Sequence, residues 1–139
     1  MTVIGFHFTK MVAEKKKSTV GKINVSNNII LTSVKEAKIN MGSSKQKGIE
    51  FSFEYTSKYE PEIASINLQG AVVFIGSDAK VKETLKKWEK DKVLLPDVLE
   101  EVYNNLLSKC HVQALILGRD MQLPPHLPMP KVTTAEKKD

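Results

Sequence analysis

The sequence predicts an α+β fold: a four- to five-stranded antiparallel sheet with two helices packed on one face and a proline-rich crossover loop after the second. Three observations carry this. Apolar and polar residues alternate through most of the first half, the period changes from two to 3.6 at Gly76, and four prolines follow the strongest helix signal within GRDMQLPPHLPMP. Strands that precede helices in chain order favour an antiparallel sheet covered by helices over a βαβ arrangement.

The first strand is read from Val3 to Ala13, where Ile4, Phe6, Phe8 and Val12 alternate with Gly5, His7, Thr9 and Met11. Two extended segments, KINVS and NIILTSVKEAKI, meet at Asn27 and Asn28, residues that tolerate positive φ. They form either a tight hairpin or one bent strand. MGSSKQKG, residues 41 to 48, has turn composition and is expected to be an exposed hairpin loop. After it Ile49, Phe51, Phe53 and Tyr55 alternate with Glu50, Ser52, Glu54 and Thr56, an amphipathic strand with one acidic face. The segment from Ile63 to Ile75 ends in AVVFIG, too continuously apolar for a strand with one wet face, so it is expected to be central or covered.

Ser77 or Asp78 can accept hydrogen bonds from the first free amides of a short helix, on which Val81, Leu85 and Trp88 form one stripe. Pro96 suits the first turn of a second helix, where its missing amide hydrogen costs nothing, and Asp97, Glu100 and Glu101 meet the positive end of the helix dipole. Val98, Leu99, Val102, Tyr103, Leu106, Leu107 and Cys110 build its apolar stripe, continued by Ala114, Leu115 and Leu117, with Gly118 as the expected stop. One domain is expected over residues 1–132, followed by a disordered charged tail, 133–139.

Composition narrows the function classes. Residues 1–48 carry nine lysines against Glu14 and Glu36, a balance of +7, whereas residues 49–77 carry Lys58 against four glutamates, a balance of −3. The basic excess therefore lies at the N-terminal end. It includes Lys15, Lys16 and Lys17, a patch able to attract nucleic acid, but Arg119 is the only arginine and stacking aromatics are sparse nearby. No apolar run approaches the roughly 20 residues that span a bilayer, so no membrane insertion is expected. MTVIGFHFTK lacks a basic start and a small-residue cleavage site, which points to the cytoplasm. The single Cys110 excludes an internal disulfide and fits a reducing compartment.

Catalytic patterns are not found. His7, His111 and His126 are far apart in sequence, and Cys110 and His111, being adjacent, point in different directions on a helix, so no metal site is expected. Asp120 with His126, or Cys110 with a histidine, would lack a third orienting group and an oxyanion hole. A phosphate-cradling glycine loop is also missing. The expectation is a protein that is not an enzyme and takes no cofactor.

From about Leu68 to Pro130 the chain resembles the SecB family of export chaperones. The likeness consists of a strand ending LQGAVVFIG, a short helical segment, LLPDVLEEVYNNLL opening a long helix at Pro96, and a crossover in which Pro124 and Pro130 are six residues apart. FHFTKMV is similar to the family's opening strand. The chain departs from the family in its basic charge, in Leu123 where an aromatic residue is usual, and in having Lys131 and Val132 after Pro130 instead of an Asn-Phe pair. VTTAEKKD stands where the family has its last helix. The resemblance implies a four-stranded sheet, self-association to a dimer or tetramer, and grooves for unfolded polypeptide lined by strand residues, the long helix and the crossover.

The leading expectation is thus ATP-independent binding of unfolded or extended polypeptide. Its candidate residues are Leu123, Pro124, Leu127 and Met129 of the crossover and Phe51, Phe53 and Tyr55 of the amphipathic strand. The crossover could equally be a connector strapping helix to sheet, with Leu127 filling a core gap, and for the strand residues plain sheet core or a subunit interface is the stronger reading. A stiff proline backbone would hold the apolar side chains open to a client, and Met129 would adapt to varied ones. The alternatives are a basic RNA- or DNA-binding module built on Lys15 to Lys17, and an oligomeric assembly subunit with no client.

Overall fold

The computed structural model describes residues 1–17, 21–42 and 44–126. Four strands, β1 (Thr2–Lys15), β2 (Asn24–Met41), β3 (Ser44–Glu60) and β4 (Ala64–Ile75), precede two helices, α1 (Asp78–Asp91) and α2 (Pro96–Asp120). All pairings are antiparallel, in the order β1-β4-β3-β2. β4 is therefore an inner strand, which explains why AVVFIG is apolar on both faces. The tail assigned to 133–139 and the boundary at 132 lie outside the described residues.

β3 follows its sequence pattern closely. Ile49, Phe51, Phe53, Tyr55 and Tyr59 all face the helices, opposite Phe74, Val72, Gly70, Leu68 and Ala64 of β4. Each aromatic or aliphatic side chain fully buried here stabilises the fold by roughly 1.5–3 kcal/mol. The reverse face is polar: the Glu54 carboxylate accepts from Asn67 Nδ2 at 2.9 Å and from Gln69 Nε2 at 3.2 Å.

β1 departs from simple alternation. The β1–β4 register shifts between Val3 and Gly5 and again between Phe8 and Lys10, and each extra residue swaps the faces of the residues after it. Phe6 and Phe8 do pack on the core, but Ile4 falls in the first bulge and is exposed. After the second bulge Met11 pairs with Leu68 on the helix face, leaving Val12 opposite Asn67 on the other.

β2 is one continuous strand through Asn27 and Asn28, so the hairpin alternative is not the one adopted. The reversal comes at Gly42, whose φ of +66° suits glycine, and most of residues 41–48 belongs to paired strand instead of loop.

On α1 the Ser77 hydroxyl accepts from the Lys80 amide at 3.2 Å, and Val81 and Thr84 are buried. α1 meets β2 and β3, and α2 meets β4. α2 opens at Pro96 and buries every fourth residue: Val98, Val102, Leu106, Cys110, Ala114 and Gly118. Gly118 is not the stop. It lies inside the helix, where a Cβ would stand 3.7 Å from the Tyr59 hydroxyl. The chain turns instead at Gln122, with φ of 55°, and the Leu123 amide returns to the Gly118 carbonyl at 2.7 Å.

Candidate polypeptide-binding surface

After α2 the chain crosses one end of the sheet as a strap. The Tyr59 hydroxyl of β3 donates to the Pro124 carbonyl at 2.8 Å, and Asn27 Nδ2 of β2 donates to the His126 carbonyl at 3.1 Å. Leu123 is buried and Pro124 half-buried. Leu127 and Met129 lie outside the described residues.

Beneath the strap is a polar cluster inside an otherwise apolar core. Asn27 Oδ1 accepts from the Ser57 hydroxyl at 2.6 Å and from the Tyr55 hydroxyl at 3.3 Å. Burial pushes the Tyr55 and Tyr59 phenols above their ordinary range. The His126 ring stands 5.4 Å from that of His111 and 6.2 Å from that of Tyr55. Burial, with the neighbouring His111 second, pulls His126 down to about 4, and burial also lowers His111.

Phe51, Phe53 and Tyr55 lie in the core of this chain. β3 is the second inner strand, its apolar face is covered by the helices, and these side chains are 1 % exposed or less. Leu123, at 8 %, is similarly committed to the core. Along the described strap Leu123 and His126 are buried, Pro124 is half-buried and Pro125 is exposed, so Leu123 and His126 mark its inward edge.

Partly accessible apolar side chains lie beside the strap. On the helix face of β2, Asn27 meets the strap and Val34 lines a cleft with Leu85 and Trp88 of α1, which leaves half-buried Ile29 and Leu31 between them. α2 supplies a side wall. The row one residue before its buried stripe faces β1: Glu101 meets the Met1 ammonium at 3.7 Å, and Lys109 Nζ stands 5.9 Å from the Phe6 ring centre. The row one residue after it, Leu99, Tyr103, Leu107 and His111, therefore faces the β3 and β2 side, and the His111 ring is 5.7 Å from that of Tyr55. Leu99 is exposed and the other three are half-buried. From Asn27 to Val34 this row of side chains spans about 20 Å of β2.

The sequence pattern placed Tyr103 and Leu107 in one broad core stripe and did not single out Ile29 or Leu31. The available signal was stripe width. Apolar residues at both i and i+1 of every turn cover more of the helix than one sheet contact can bury.

Lys15, Lys16 and Lys17 are exposed at the strap end of the sheet. Lys15 Nζ donates to the Met121 carbonyl at 3.4 Å, Lys16 is 4.0 Å from Glu14, and a shallow cleft brings Lys16 and Lys58 together with Glu60 and Glu62. That surface carries both signs, unlike the one-signed field that draws a nucleic-acid backbone. Arg119 sits beside Asp120. Among the described residues no three His, Cys, Asp or Glu side chains gather to hold a metal ion. Burial holds the Cys110 thiol up at about 12, which keeps it a poor nucleophile. No described helix is long and apolar enough to cross a membrane.

No family model matches the chain, and no curated protein matches it in sequence. The backbone does have a counterpart. Its architecture superposes on the Mycobacterium tuberculosis SecB-like chaperone Rv1957, solved in complex with a ChAD peptide from the antitoxin HigA1, with a TM-score of 0.52 over 96 % of this chain and 91 % of that one. The fold is SecB-like. At 8 % identity the SecB-like likeness is one of strand order, helix placement and connection, with almost no side chains held in common. The four antiparallel strands followed by two helices are the part that the sequence resemblance implied.

Proposed function

We propose that this SecB-like chain binds extended segments of unfolded polypeptide without nucleotide or cofactor, and that it is not an enzyme. The observation that carries the reading is a set of half-buried apolar side chains on one side of the helix layer, Ile29 and Leu31 of β2 and Tyr103 and Leu107 of α2. We read them as floor and wall of a trough between strap and α1. It is apolar, elongated and bordered by an edge strand. A client of about six residues in extended form fits its length. The SecB-like neighbour solved with a peptide supports the same reading at the level of fold.

Half-buried side chains suit this task better than fully buried ones, because they already have support on one side and lose water only when a client arrives. Tyr103 adds a rigid aromatic wall. We further infer self-association through the outward side of α2.

A photo-crosslinking residue at Leu31 or Leu107 tests the site. Incubation with a reduced, unfolded client is expected to yield crosslinks to the client from both positions and none from Ser52 on the opposite sheet face. Failure of the wild-type protein both to bind that client and to slow its aggregation would remove the reading. Binding that weakens steeply with salt and prefers RNA would replace it with the nucleic-acid alternative.

A further inference from the structure

His126 is the point at which the strap meets β2, and its surroundings do not suit a charge. The side chain is 4 % exposed, and neither ring nitrogen has a hydrogen-bond partner among the described residues. From α2 it faces His111, and from β3 it faces Tyr55. β2 contributes Asn27, whose amide holds the His126 carbonyl and not its ring. Cys110 of α2 and Tyr59 of β3, each coupled to Tyr55, are the other titratable groups of the cluster. Among the described residues no carboxylate bonds to the His126 ring, and the protonatable ring beside it is His111.

A neutral imidazole already carries one N–H, so the docked strap buries a donor that has no partner among the described residues. A second proton would add an unpaired charge in the same place, next to another protonatable ring. Among the described residues the rest of the strap is held by the hydrogen bonds from Tyr59, Asn27, Leu123 and Lys15 and by the burial of Leu123 and part of Pro124.

We propose that neutral His126 latches the proline strap onto the sheet, and that protonation of the His126–His111 pair releases it and uncovers the apolar surface around Tyr55 and Leu123. The direction in pH comes from burial. His126 lies at about 4 in the docked strap against an ordinary value near 6.5, so the undocked strap binds the proton more tightly. Docking is at full strength above pH 6.5 and weakens as pH falls from there towards 4, by about tenfold in the docked-to-undocked ratio per unit at most. His111, lowered by the same burial, adds to the effect in the same direction. The consequence for clients, a wider trough in acid, rests on the polypeptide-binding reading; the latch itself does not.

The test uses the full chain between pH 7.5 and 4.5, following the His126 ring protons by NMR and the exchange of the Leu123 amide. The expected result is a His126 titration well below 6. Leu123 opening, corrected for intrinsic exchange chemistry, should also rise at least tenfold between pH 6.5 and 5 while the β3 amides stay protected. His126→Phe, an uncharged ring, should reduce that rise to the smaller part carried by His111, and His126→Gln should do so as well if the phenylalanine variant folds poorly. A His126 titration at its ordinary value, opening that ignores pH, or a rise undiminished by both substitutions overturns the latch. Fluorescence anisotropy with an unfolded peptide on the same samples separates the two readings. Acid opening without peptide binding supports the latch and removes the client, whereas peptide binding without acid opening does the reverse.

Discussion

Gly70 shows how much one position can decide. A Cβ built there would run into the His7 carbonyl and stand 2.9 Å from Phe8 Cα, since β1 presses onto β4 beside its second bulge. Gly70→Ala must push backbone from backbone, and a loss of about 1–3 kcal/mol is expected in urea unfolding. Gly5→Ala is the control: its Cβ would meet nothing within 4 Å, and a change under about 0.5 kcal/mol is expected. Equal effects would show that close approach is not the reason for glycine. Cys110 gives a second residue-scale prediction. With its thiol buried and held up at about 12, it should resist alkylation at pH 8 in the native protein and react at the rate of unfolding. Neither effect could be read from sequence, because each depends on a neighbour more than fifty residues away or on the depth of a cover. The sequence marked Gly70 only as a letter within LQGAVVFIG.

Among the elements, legibility followed regularity. β3 pairs without a bulge against β4, so its alternation of Ile49, Phe51, Phe53 and Tyr55 could be read directly onto the core face. β1 carries two bulges and β2 one, between Leu31 and Ser33, and each shifts the faces by a residue, which is why Ile4 and Val12 were misplaced. Phe51, Phe53 and Tyr55 are aromatic and patterned, the properties that favour core over groove in the sequence, and they are buried. The accessible trough is made of residues whose role depends on which way α2 is turned. Leu106 and Leu107 make the contrast testable: neighbours in sequence, one fully buried and the other half-buried. Leu106→Asp should cost more than about 3 kcal/mol and leave little folded protein, as an unpaired charge enters the core. Leu107→Asp should keep the melting temperature within a few degrees and weaken binding of an unfolded peptide at least tenfold. Peptide affinity unchanged in Leu107→Asp would move the site elsewhere.

For the whole molecule the question is which apolar surface one chain leaves uncovered. Both helices lie on one face of the sheet, and the trough accounts for only one side of α2. On the side turned away from the sheet, Val112 is 57 % exposed and Ile116 39 %, each two residues after a buried one and so about 200° around the helix from it. They stand one turn apart, where a second α2 related by a two-fold axis would bring each row against its own copy. We therefore expect light scattering to give at least twice the mass of one chain, and Val112→Glu combined with Ile116→Glu to return it to a single chain. The double variant should melt within a few degrees of wild type, because neither side chain is part of the core cluster. It should also keep its peptide affinity if the trough belongs to each chain separately, since Leu107 faces another direction. Loss of binding on dissociation would mean that a second copy completes the trough, and a wild-type protein already of single-chain mass would remove the self-association.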